Sequence, residues 1–116
     1  MSRDQLYLRH VLDAIMKIER YVVVGHDEFM AESHWQDAVI RQFEIIGEAV
    51  KQLSPETTGR RPDILWRRIA GMRDVLIHNY MGVDLEAVWR VTQDDLSKLR
   101  QAIEELLGSH EPDNSK

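Results

Sequence analysis

Between positions 85 and 106 the chain places Leu85, Trp89, Leu96, Leu99, Ile103 and Leu106 in steps of four and three, with Thr92 as the one interruption of the series. That spacing returns to one face of an α-helix at about 3.6 residues per turn, whereas a strand would need alternation. Held over three heptads, it makes a seam suited to packing in a bundle. The rest of the chain repeats the pattern. Leu8, Val11, Leu12, Ile15 and Ile18 form one face, and Val39, Phe43, Ile46, Val50 and Leu53 a second. Leu65, Ile69, Met72 and Leu76 form a third. No Asn-Gly or Asp-Gly hairpin signal and no internal repeat is present. The expectation is an all-α, up-and-down four-helix bundle with room for one extra short helix.

Local signals set the boundaries. Ser2 with Gln5 reads as a capping box opening the first helix, which should fade near Val24 and Gly25. A turn of helix is expected around Asp27 to Met30, and Ser33 with Gln36 repeats the box before the second long helix. Ser54-Pro55 stops that helix, leaving Glu56 to Arg61 as a polar connection. Pro62 suits the first turn of a third helix, where its missing N–H costs nothing. Asn79 and Gly82 end that helix, Asp84 caps the fourth, and a polar tail starts at about Gly108. Residues 1–116 are expected to form a single domain.

An apolar fraction of 43% belongs to a folded globular chain, and no apolar run approaches the ~20 residues that cross a bilayer. The first residues lack the plan of a signal peptide. The absence of cysteine removes disulfides and thiolate metal sites, which fits a cytoplasmic setting. The net charge of −5 is unevenly spread. Arg60, Arg61, Arg67, Arg68 and Arg73 stand against Asp63 alone, so this window carries +4 and the remainder −9. Concentrated positive charge on an acidic body points to a local anion site, with a solvated helix face as the bland reading.

Directly downstream lies Gly71-Met-Arg-Asp-Val-Leu-Ile-His-Asn-Tyr80. It sets Arg73, Asp74, His78, Asn79 and Tyr80 at the end of an otherwise apolar helix, where a guanidinium, an imidazole and a phenol could handle a phosphate. Asp74 and His78, four apart, share a face, so the carboxylate can orient the ring. Arg73 and His78, five apart, diverge by about 140° on an ideal helix. A site using both needs a bend near His78 or a second subunit. The alternative is an arginine in a surface ion pair and a histidine packed at a helix end.

Other candidates carry less. Glu44 and Glu48 lie four apart, but no Glu-x-x-His pair accompanies them, so they read as surface acids neighbouring Arg41 and Lys51. His10, His26, His34 and His110 have no partners at ligand spacing and read as surface residues. Trp35, Trp66 and Trp89 read as core or interface, although Trp66, inside the arginine cluster, is the one that could meet a ligand there. No Gly-rich phosphate loop, Ser–His–Asp arrangement or nucleotidyltransferase motif is present.

Arg73-x4-His78-x-Tyr80 resembles the Arg-x4-His-x-Tyr signature of HepT-like proteins in the HEPN superfamily of small all-α ribonucleases. The flanks are similar too: Val39-Ile40-Arg41 with Ile45-Ile46-Gly47-Glu48-Ala49, then Pro62 to Arg73, then Asp84 to Leu96. The likeness reaches about Leu107. It implies a metal-independent endoribonuclease without cofactors, working as a homodimer whose two motifs meet near one cleft. Arg73 and His78 would be catalytic, Asp74 and Asn79 supporting, with RNA held by Arg60, Arg61, Trp66, Arg67 and Arg68. It also implies a toxin of a type VII-like toxin–antitoxin pair. Its antitoxin, an MntA-like minimal nucleotidyltransferase, would transfer AMP to Tyr80. The rival readings are a non-catalytic helical module that binds and regulates a nucleotidyltransferase, and a helical nucleotide-binding domain.

Overall fold

The structure is a computed structural model that describes residues 2–78 and 84–110, without the side chains of 73–78, 109 and 110. Its described residues form α1 (Arg3–Tyr21), α2 (His26–Ala31), α3 (Ser33–Lys51), α4 (Pro55–Gly59), α5 (Trp66–His78), α6 (Leu85–Asp94) and α7 (Leu96–His110), with a 3-10 turn at Val22–Val24.

Polar cross-links between helix ends give the direction of each helix. Arg3, at the start of α1, donates to Gln52 just past α3 at 2.5 Å, and Asp4 accepts from the Ser54 hydroxyl at 2.5 Å. α1 and α3 are therefore antiparallel. Glu19, near the end of α1, pairs with Arg100, near the start of α7. Arg61, before α5, meets Glu105, near the end of α7, at 2.6 Å. α5 thus starts where α7 finishes, and the order is up, down, up, down, as the periodicity predicts. α3 packs on α1 and α5, α1 also packs on α7, and α6 leans on α7 and α2.

The core follows the sequence faces closely in α1 and α3. Leu8, Val11, Ile15, Ile18, Val39, Phe43, Ile46, Val50 and Leu53 are buried, and each contributes about 1.5–3 kcal/mol of apolar burial when fully enclosed. Leu12 is only partly buried. The Ser2–Gln5 capping box forms in both directions. α1 gives way to the 3-10 turn, and Gly25 takes φ 93°, a conformation that glycine adopts without a Cβ clash. The short helix expected around Asp27 to Met30 is α2.

Several local readings need correction. Ser33 is not an N-cap; Glu32 holds that position, and Gln36 donates instead to the Phe29 and Met30 carbonyls at the end of α2. Glu56 to Arg61 is not a plain connection: Pro55–Gly59 is helical, capped by Ser54, and buries Thr57. Pro62 lies in a turn rather than in a helix, and α5 begins at Trp66. The turn is held by the Arg61–Asp63 fork and by the Trp66 indole, whose N–H donates to the Thr58 and Arg61 carbonyls at 3.0 and 2.9 Å. It faces Ile64 inward, leaving Leu65 62% exposed instead of in the stripe.

The fourth helix is likewise two helices, interrupted at Asp95 (φ −108°, ψ −26°). Thr92 sits buried in the seam and its hydroxyl donates to the Trp89 carbonyl at 2.6 Å, a back-bond of the kind that bends helices. Leu96, Leu99, Ile103 and Leu106 remain buried beyond the interruption, and α7 continues to His110. No helix among the described residues is long and apolar enough to cross a membrane.

Candidate active site

α5 carries the motif. It leaves the Arg61–Glu105 end of the bundle and runs helically from Trp66 through His78. Ile69, Ala70 and Met72 pack against the core, whereas Arg67 and Arg68 face solvent. Arg73, Asp74 and His78 occupy the second half of α5; their side chains lie outside the described residues, as do Asn79 and Tyr80 altogether. Since α5 is helical through His78, the ideal register separating Arg73 from His78 by about 140° applies up to the end of the motif helix.

The arginine cluster divides. Arg60, Arg67 and Arg68 are exposed and available to an anion. Arg61 is committed: its Nε and Nη2 fork onto Asp63 at 3.0 and 2.9 Å while Nη1 donates to Glu105 at 2.6 Å. The guanidinium beside it pulls the Asp63 carboxyl down from 3.8 to about 2, with Lys98 adding a smaller push in the same direction. Trp66 is partly buried, and its N–H is used up in the turn before α5. Trp35 and Trp89 also pack against the core. The positive charge left free at this end comes from both sides of the turn, not from the turn itself.

Arg41, Glu44 and Glu48 line an open groove of about 360 Å³ with Ile45, Ala49 and His10 of α1. None of the described residues of α5 contributes to its lining. Arg41 pairs loosely with Glu44 at 4.0 Å and Lys51 with Glu48 at 3.9 Å, as their helical spacing predicts. No group of three or more metal-ligating side chains occurs among the described residues.

One histidine departs from the sequence reading. His26 is not a lone surface residue: Nε2 lies 2.8 and 3.0 Å from the two Glu86 carboxylate oxygens, and Nδ1 lies 3.2 Å from Asp27. Its ring meets Trp89 edge-on at 5.6 Å, and Trp89 leans on buried Phe29 at 5.3 Å. The Asp27 and Glu86 hydrogen bonds raise its pKa above 6.5. A contact across sixty residues leaves no spacing signal.

Comparison with known proteins decides the family. The model of the family described as "Ribonuclease HepT-like" matches residues 11–106, most of the chain. The chain belongs to the HepT-like ribonuclease family. It is thus a ribonuclease by membership, and the resemblance read from the motif and its flanks holds. This HepT-like chain is 39% identical over 101 residues to a protein of Thermococcus cleftensis named "Probable ribonuclease HepT", covering 86% of this chain and 92% of that protein. A candidate RNase of Caldanaerobacter subterraneus subsp. tengcongensis is 35% identical over 108 residues, covering 92% and 96%. A Methanocaldococcus jannaschii protein named as a gamma-glutamylcyclotransferase and candidate RNase is 42% identical over 109 residues. The match covers 92% of this chain but 49% of that protein, so the chain spans about half of its length. No solved structure matches.

Proposed function

We propose that this HepT-like ribonuclease is the toxin of a type VII-like toxin–antitoxin pair, a cytoplasmic endonuclease that cleaves RNA without a metal ion. The observation that carries the reading is the Arg73-x4-His78-x-Tyr80 motif on a helix that is regular through His78, in a chain whose family is ribonucleolytic. The ribose 2′-OH attacks the adjacent phosphorus, leaving a 2′,3′-cyclic phosphate and a 5′-OH. His78 serves as general base or acid, since imidazole titrates near neutrality. Arg73 pairs with the phosphate oxygens as negative charge develops. Asp74 shares the face of His78 and holds its proton, and Asn79 supports the helix end.

A divergence of about 140° within one helix supports a cleft shared by two copies of the chain. In a homodimer one His78 accepts the proton while the other donates. Exposed Arg60, Arg67 and Arg68 then guide RNA to a body that is otherwise acidic. The partner antitoxin is an MntA-like nucleotidyltransferase, and AMP on Tyr80 puts phosphate charge where the RNA phosphate should sit. Purified protein incubated with total RNA in EDTA tests the reading. Wild type should cleave, and His78→Ala and Arg73→Ala should not. Cleavage retained in His78→Ala would refute it. Tyr80→Phe should stay toxic and escape neutralisation by an active transferase.

A further inference from the structure

The helical register of α3 sets its surface charges in a pattern that is complementary to itself. Asp37, Arg41, Glu48 and Lys51 are exposed along its outward side, and half-buried Ile45 lies among them on the wall of the open groove shared with His10 of α1. Arg41 and Glu48, seven residues apart, differ by about 20° in direction and about 10 Å in height, with their midpoint between Glu44 and Ile45. Asp37 and Lys51 bracket almost the same midpoint, about 21 Å apart and about 40° different in direction. Turning the helix end over end about that point exchanges every cation with an anion. A partner of one charge sign matches only half of such a face, whereas a second copy matches all of it. We propose that the outward face of α3 is where two copies of this chain meet, antiparallel about a two-fold axis that crosses the helix between Glu44 and Ile45.

In this arrangement Arg41 faces the partner's Glu48 and Asp37 faces the partner's Lys51, and each pair occurs twice because the contact is isologous. Within one chain the corresponding pairs are long, Arg41 to Glu44 at 4.0 Å and Lys51 to Glu48 at 3.9 Å, so reaching across sacrifices no close contact. Ile45 supplies apolar area near the axis, and Leu6, 44% exposed, adds to it from the α1 side, one turn before His10. The unfavourable element is central: the two Glu44 carboxylates approach the axis, each beside its own Arg41. A two-fold axis perpendicular to α3 in the contact plane keeps each flank on its own side. Among the described residues α3 packs on both α1 and α5, which make no comparable contact with each other, so α5 of both copies comes to one edge of the dimer. A cleft shared by two motifs needs that placement. This consequence rests on the assignment of the motif to RNA cleavage; the interface itself does not.

Sedimentation equilibrium on the full chain tests the face by charge exchange. Wild type should be a dimer at micromolar concentration and loosen as salt is added. Arg41→Glu and Glu48→Arg should each raise the dimer dissociation constant roughly a hundredfold or more, since each sets like charges together at two symmetric places. Mixed in equal amounts the two variants should pair again, because one chain then offers only acids and the other only bases at these positions. That recovery also separates lost pairing from lost folding. Glu44→Gln should tighten the dimer severalfold by relieving the repulsion at the axis. A monomeric wild type, a dimer that neither Arg41→Glu nor Glu48→Arg weakens, or variants that stay monomeric when mixed would each overturn the proposal. A dimer with the predicted charge dependence that cleaves no RNA would uphold the interface and overturn the functional assignment alone.

Discussion

The two ends of the bundle are tied in different currencies. At the end where α1 and α5 begin, Asp4 accepts from the Ser54 N–H, the Ser54 hydroxyl and the Thr57 hydroxyl, and Arg61 spans Asp63 and Glu105. The Arg61–Asp63 pair stays charged across the physiological range, because each group holds the other in its ionised form. At the opposite end, α2 and α6 meet through a histidine between two carboxylates, backed by Phe29 and Trp89. Permanent charge is spent on structure at the first end, and a titratable group is placed at the second, where the motif helix finishes. Charge density in the sequence therefore marks the anchored end as much as the working one.

Substitutions at the two ends should separate chemistry from anchoring. The largest effect is expected at the motif: His78→Ala should cut cleavage by between about a hundredfold and ten-thousandfold while leaving the melting temperature near wild type. A matching fall in stability would move His78 to the anchoring class. Asp4→Ala should do the reverse. It removes the carboxylate that accepts from the Ser54 N–H and from the Ser54 and Thr57 hydroxyls, beside buried Thr57, costing about 1–3 kcal/mol in urea denaturation, with kcat per folded molecule unchanged.

Acid should act at the anchored end. The folded Asp63 pKa of about 2 lies below its ordinary 3.8, so its contribution is present above pH 4 and is lost as the pH falls toward 2. Asp63→Asn should flatten that stretch of the stability profile measured by circular dichroism. The smallest effects concern RNA affinity. Arg67→Ala and Arg68→Ala should each reduce the slope of log binding against log salt by about one, whereas Arg61→Ala should leave the slope unchanged, because its guanidinium is already paired.

What could be read from sequence follows the range of the interaction responsible. The faces of α1 and α3 and the Ser2–Gln5 box depend on neighbours within one or two helical turns, and they came out as periodicity predicts. The seam from Leu85 to Leu106 was legible except for its break at Asp95, three residues past Thr92, the one polar residue in the series. The start of α5 was not. Trp66 reaching back to Thr58 and Arg61, and Arg61 reaching across to Glu105, outweigh the preference of Pro62 for a first helical turn. Gln36 was drawn from its capping box by the free carbonyls ending α2, a helix whose exact close no local signal announces. Of the candidate site, the helix that bears Arg73 and His78 was legible, and so was the family. The split of the arginines into paired and free, and the His26–Glu86 tie, depend on contacts 44 and 60 residues apart.

The most direct test of the shared cleft is a heterodimer of one wild-type and one His78→Ala chain, isolated with two different tags and assayed on RNA in EDTA. If two histidines divide the proton transfers at one site, its rate should fall close to that of the His78→Ala homodimer. A heterodimer that keeps about half the wild-type rate would contradict that division, since each subunit would then cleave on its own.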